Sequence, residues 1–211
     1  MGLSQGGWLA VLAAGRSQTA AFAISVSASL VTPERQMEFA TENQLKIRGY
    51  SSRDVKDMLD ARRAWIGYLR GTNSRGMAVD PIQQVETRPC FDLAFMPKAS
   101  TVTTDPEHSS WRREMDEDPI RAVRKVSLPL LFIYGGADPW IPVAQTVEQL
   151  QALTKQQSNI RYAVIANASH EMMFQEHENM AVDAKTLHES APQAPGYFMR
   201  LASWLCQRVE K

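Results

Sequence analysis

A chain of 211 residues is long enough for one domain with a substantial core, or for a core with a small lid. Lysine plus arginine and aspartate plus glutamate both number 23, so the charge balance carries no electrostatic footprint for nucleic acid. Hydrophobic residues make up 44%, too many for a disordered chain, yet the longest apolar runs fall well short of a membrane span.

The chain opens on Met1-Gly2-Leu3-Ser4-Gln5-Gly6-Gly7, a Gly-x-Ser-x-Gly pentapeptide followed directly by small apolar residues of helical character. No basic stretch precedes them, so they do not read as a signal peptide, and the compartment is left open. In a nucleophile elbow a serine sits on a strained strand-to-helix turn with its hydroxyl exposed. The residues two before and two after it nearly touch, a demand that Gly2 and Gly6 meet. The backbone N–H of Gln5 starts the helix and points at the space above Ser4, where a developing oxyanion would meet a free donor and the positive helix end. A glycine-rich helix entry fits the same residues, so the rest of the chain decides.

Gly7 to Ala14 is apolar nearly all round, which predicts a fully buried helix stopped by Gly15. Ala21 to Ser27 suits a strand covered on both faces in a parallel sheet. Thr32-Pro33 caps and opens a charged helix to about Ile47, which Gly49 ends. Ser51-Ser52-Arg53-Asp54 is a capping-box variant for a second helix with the clearest period in the chain: Val55, Met58, Leu59, Arg62, Trp65, Ile66 and Leu69. From about Thr72 to Asp118 the sequence is polar and broken by Pro81, Pro89, Pro97 and Pro106, which predicts loop with short helical pieces. Met58, Trp65 and Tyr68 belong to the core of these helices rather than to a pocket.

Asp118-Pro119 caps a short helix to Lys125. Leu128 to Tyr134 is the strongest strand, and the turn Gly135-Gly136-Ala137-Asp138-Pro139-Trp140-Ile141-Pro142 follows it. A helix carrying Ala144, Val147, Leu150 and Leu153 comes next, then a strand from Ile160 to Ala166 and the loop Asn167-Ala168-Ser169-His170. Phe198, Leu201, Trp204 and Leu205 mark a closing helix. Alternating strands and helices imply right-handed crossovers and a parallel sheet. Cys90 and Cys206 stand in no metal-ligand spacing and read as reduced thiols, Cys206 on a buried helix face.

In open α/β sheets reactive groups gather at the C-terminal ends of the strands. Ser4, Asp138 and His170 all fall at such ends, in the chain order serine, acid, histidine. Each has a plainer reading, Asp138 as a turn opener and His170 as a surface histidine; the joint pattern points to a hydrolase site. A zinc site is the rival: His170-Glu171-Met172-Met173-Phe174 approaches H-E-x-x-H, but Phe174 holds the second ligand's place and His177 comes too late, so no metal and no cofactor are expected.

These stretches, with Asp118-Pro119-Ile120 ahead of the acid-loop strand, resemble the α/β-hydrolase superfamily, most closely its dienelactone hydrolase, acyl-CoA thioesterase and prolyl-oligopeptidase-like (S9) branches. The resemblance runs along the whole chain but covers only the C-terminal part of the family's domain. It implies a truncated α/β-hydrolase fold, a parallel sheet with flanking helices and a helical lid insertion. Residues 1–31 would hold the elbow, the first helix and the first strand, residues 32–118 the lid, and residues 119–211 the rest of the core. It also implies Ser4 as nucleophile, His170 as general base and acid, Asp138 as the group that orients the imidazolium, and Gln5 as one oxyanion donor. Trp8 and Trp140 adjoin these loops and are candidates for substrate binding. The substrate is expected to be a small-molecule ester or thioester, since no propeller that would screen peptides is recognisable; a prolyl-oligopeptidase-like peptidase and a non-catalytic hydrolase-like binding domain are the alternatives. The strands ahead of the elbow and the source of the second oxyanion donor are absent from this sequence, so the chain is expected to be a fragment, a misplaced start or one piece that needs a partner. Three strands would remain, with an unpaired sheet edge that invites self-association.

Overall fold

A computed structural model of the chain describes residues 1–175 and 192–209, which fall into two units, Met1–Val31 with Asp118–Lys211 and Thr32–Glu117. The strands are β1 (Gly2–Leu3), β2 (Ala23–Val26), β3 (Leu130–Gly135) and β4 (Ile160–Ile165). The helices are α1 (Gln5–Ala14), α2 (Pro33–Ile47), α3 (Ser52–Leu69), α4 (Arg75–Val85), α5 (Ser110–Glu114), α6 (Pro119–Arg124), α7 (Val143–Thr154) and α8 (Pro195–Val209), with three short 3-10 turns between α4 and α5. Among the described residues no helix is long and apolar enough to cross a membrane.

In the first unit the strands form one parallel sheet in the order β1-β2-β3-β4. The expected three strands are joined by a fourth, because Gly2 and Leu3 pair with Ser25 and Val26. β3 is buried along its whole length, as its continuous apolar run requires. Its alternate residues serve two cores. Leu130, Phe132 and Tyr134 pack with Val11, Val123 and Leu150, so α1, α6 and α7 cover one face. Leu131 and Ile133 pack with Ile24, Val26, Tyr197 and Trp204, so α8 covers the other.

Three expectations about helix faces are corrected here. α1 is not buried all round: Gly7, Val11 and Ala14 face the sheet, while Leu9 is 52% exposed. In α7 the inward stripe is Thr146, Leu150 and Leu153, and Ala144 faces solvent. In α8 Tyr197 turns inward and Phe198 out, and Cys206 is exposed, whereas Cys90 is the buried thiol. In α7 and α8 the mistaken position lies one residue from the buried one, about 100° around a helix of period 3.6, while Leu150, Leu153 and Trp204 face inward as expected.

The second unit has a core of its own, built on α3. Thr32 and Ser51 cap α2 and α3 through Arg35 N–H and Asp54 N–H, and all seven periodic positions of α3 are buried. Arg62 is 1% exposed; it donates to the Glu34 carboxylate at 2.6 Å and to the carbonyls of Ala94 and Phe95. Burial pushes the Glu34 carboxyl up, and the adjoining Arg62 charge only partly opposes it. Met58, Trp65 and Tyr68 belong to this core, as the helical spacing predicts. The prolines predict loop after Thr72, yet α4 runs through Pro81, with Ala78, Ile82 and Val85 buried. The Glu34 N–H donates to the Met115 carbonyl at 3.0 Å, so the segment begins and ends at one place.

Candidate active site

Ser4 lies between β1 and α1 at φ 55°, ψ −125°, a left-handed conformation that costs a non-glycine residue about 1–3 kcal/mol. A Cβ on Gly2 would stand 2.0 Å from the Gly6 carbonyl oxygen, so the arms of the turn touch and Gly2 is sterically required. Gly6 is not required in that way: a Cβ there meets nothing within 4 Å, because the contact is made by its carbonyl. The Ser4 carbonyl accepts from Gly7 N–H and Trp8 N–H, so the Gln5 and Gly6 N–H groups are the two at the open end of α1. Ser4 is half-buried, with its hydroxyl at a helix N-terminus that favours negative charge.

Asp138 follows β3 in the turn that begins at Gly135. Its side chain is buried, and its Oδ1 accepts from Trp140 N–H at 2.8 Å and Ile141 N–H at 3.1 Å. It does open a turn, as its plainer reading holds. Its other oxygen, Oδ2, accepts from His170 Nδ1–H at 2.8 Å. A backbone amide pair and an imidazole thus divide the carboxylate between them, which fixes its plane.

His170 follows β4. Its loop folds back over the end of β3: Ala137 N–H donates to the Ala168 carbonyl, and a Cβ on Gly135 would lie 2.2 Å from the Ser169 carbonyl oxygen. Only glycine at 135 admits this crossing. The loop is braced internally, with Ser169 Oγ accepting from Glu171 N–H and Met173 N–H. Burial by itself would lower the pKa of the His170 imidazole. The hydrogen bond to Asp138, its charge and that of Glu171 together outweigh burial and hold the group above its ordinary 6.5.

One contact reaches further. Ser27 Oγ donates to the His170 carbonyl at 2.7 Å. The β1–β2 register sets Leu3 beside Val26, and Ser4 N–H donates to the Val26 carbonyl at 2.8 Å, so Ser4 stands beside Ser27. Parallel strands lie about 4.8 Å apart, so the main chain of His170 is tied to the strand next to the one that carries Ser4. Ser4, Asp138 and His170 therefore sit on one rim of one sheet, although β1 and β4 are its opposite edges.

Ser27 and Gly135 escape a reading of the sequence by motif. The available signal for Ser27 is polarity: Ser25, Ser27 and Ser29 interrupt an apolar run and are all buried. Trp8 and Trp140, the expected substrate contacts, are both half-buried, Trp8 in the first turn of α1 and Trp140 beside Asp138. Among the described residues no three His, Cys, Asp or Glu side chains gather as metal ligands, and His177 lies outside those residues.

A parallel sheet that carries a serine elbow, an acid turn and a histidine loop in this order defines an α/β-hydrolase. The chain belongs to the prolyl oligopeptidase family, whose model matches residues 75–188, more than half of its length and inclusive of Asp138 and His170. A search of curated proteins found no match. Solved structures similar to it include proline iminopeptidase from Mycobacterium smegmatis (16% identity, TM-score 0.44, 98% of this chain and 64% of that one). Others are an esterase of Pyrococcus furiosus (12%, 0.41, 81% and 44%) and an acetylester hydrolase from Corynebacterium glutamicum (14%, 0.37, 79% and 53%). The chain thus spans 44 to 64% of the length of these three structures.

Proposed function

We propose that this chain carries the acyl-transfer centre of a serine hydrolase, with Ser4 as nucleophile, His170 as general base and acid, and Asp138 as the group that holds the imidazole. His170 Nε2 takes the proton of Ser4 Oγ as that oxygen bonds to the substrate carbonyl carbon. The imidazolium then gives the proton to the leaving group as its bond to that carbon breaks, which leaves an acyl-Ser4 ester. Water repeats the two steps, and the acid is released with Ser4 restored. The Gln5 N–H is one donor to the tetrahedral oxyanion. The observation that carries the reading is the His170–Asp138 pair, tethered one strand away from a serine in a strained turn.

The bond cleaved is proposed to be a carboxylic ester or thioester in a small molecule, with Trp8 and Trp140 lining the acyl side. Alkoxide and thiolate leave with less help than an amine. Membership of the prolyl oligopeptidase family favours a second reading, a serine peptidase. Hydrolysis of p-nitrophenyl esters against that of a proline-containing peptide p-nitroanilide discriminates between the two.

A fluorophosphonate probe tests the nucleophile. Labelling that is lost in Ser4→Ala and in His170→Ala is expected. A folded protein that does not label refutes the assignment and favours a non-catalytic binding domain, whereas a Ser4→Ala variant that labels as well refutes it in favour of another nucleophile.

A further inference from the structure

We infer that Ser27 is a positioning residue for the catalytic histidine: its hydroxyl pins the main chain of the His170 loop to the end of β2, so that the free edge of the imidazole is aimed at Ser4. The inference rests on the reading of Ser4, Asp138 and His170 as a hydrolase centre.

Three observations support it. Ser27 is 0% exposed, and its Oγ donates at 2.7 Å to a carbonyl 143 residues away in sequence. Among the described residues this is the one hydrogen bond made to the His170 main chain, whereas Ala168 and Ser169 on one side and Met172 on the other are held by backbone bonds. The histidine is therefore held at two points, its carbonyl by Ser27 and its Nδ1 by Asp138, and two points fix where Nε2 lies. Ser27 also adopts φ 51°, a conformation in which an L side chain costs about 1–2 kcal/mol relative to glycine. A residue that only turned the chain would be better as glycine. The hydroxyl is what glycine lacks.

The test uses Ser27→Gly and Ser27→Ala in the intact chain. Both remove the donor, and glycine at the same time relieves the backbone, so a defect in Ser27→Gly cannot be ascribed to a strained turn. The first readout is the titration of the His170 Cε1 proton by NMR, which needs no turnover. The charged groups facing this imidazole are Asp138 from the β3 turn and Glu171 within its own loop. In both variants a released ring holds Asp138 less well, and the titration midpoint falls toward 6.5. The second readout is the fluorophosphonate labelling rate of Ser4, expected to fall by about 10- to 100-fold, as for a catalytic group displaced by about an ångström.

An unchanged midpoint in Ser27→Gly overturns the inference, whether or not the protein labels. A midpoint that falls in protein that never labels keeps Ser27 as the anchor of His170 and removes the hydrolase reading instead. A merely structural role lowers the folded fraction and leaves the midpoint of the folded species where it was.

Discussion

Replacing Asp138 by asparagine isolates the part of the site that the fold fixes most firmly. The carboxylate accepts three hydrogen bonds, from His170 Nδ1–H, Trp140 N–H and Ile141 N–H. Asparagine keeps one oxygen, which remains with the two backbone amides. Its NH2 group then faces His170 and can only donate. The imidazole must turn Nδ1 into an acceptor and carry its proton on Nε2, where it cannot take the Ser4 proton. A loss of about 10⁴-fold in reaction rate is expected, equivalent to ~5.4 kcal/mol of barrier at ~1.36 kcal/mol per decade. Folding suffers much less, because the buried amides keep their acceptor.

The pH dependence follows from the sign of the shift. His170 has a folded pKa above 6.5, so protonation favours the folded state. The stabilisation from Asp138 is therefore whole below pH 6.5 and disappears as pH rises through the raised folded value. Urea denaturation of wild type and Asp138→Asn should show a stability gap that is widest in acid and narrows toward pH 9. The labelling rate of the wild type should rise with pH through the same raised value, since the base must be neutral. An Asp138→Asn variant that labels within tenfold of wild type at pH 8, or a gap that widens with pH, refutes this account.

Two further outcomes are expected. Gly2→Ala sets a Cβ 2.0 Å from the Gly6 carbonyl oxygen, backbone against side chain with no rotamer to escape; α1 must shift, and a loss of about 3 kcal/mol, at the upper end of overpacking costs, is expected in urea titration together with a fall in Ser4 labelling. Glu34→Ala leaves the guanidinium of Arg62 buried with only carbonyl partners, which costs about 3–5 kcal/mol by calorimetry, and adding Arg62→Met should restore most of it.

Local chemistry in the sequence was enough to locate much of this fold. Thr32, Ser51 and Asp118 cap the helices that their neighbours predict, and the apolar run of β3 reads as a strand with both faces covered. The Gly-x-Ser-x-Gly pentapeptide also reads correctly as a tight turn, although the responsible contact involves the carbonyl rather than the Cα of Gly6. Features set by distant segments were not legible. Whether the outer face of α1 is covered depends on what packs there, not on its own residues. Pro81 looked like a helix breaker, but Ala78, Ile82 and Val85 bury enough surface against α3 to carry α4 through it. Ser27 serves a loop 143 residues ahead, and no local pattern could announce that.

Because β2 and β3 pair directly from Ala23↔Leu130 to Val26↔Ile133, the polypeptide between them enters and leaves at neighbouring strands. The Glu34 to Met115 hydrogen bond closes that excursion at its base. The length of the segment beyond that base adds little to the entropy of closing the loop, since that cost grows only with the logarithm of length. The joint between β2 and β3 can therefore accept a different insertion while the strands that hold Ser4, Asp138 and His170 keep their register.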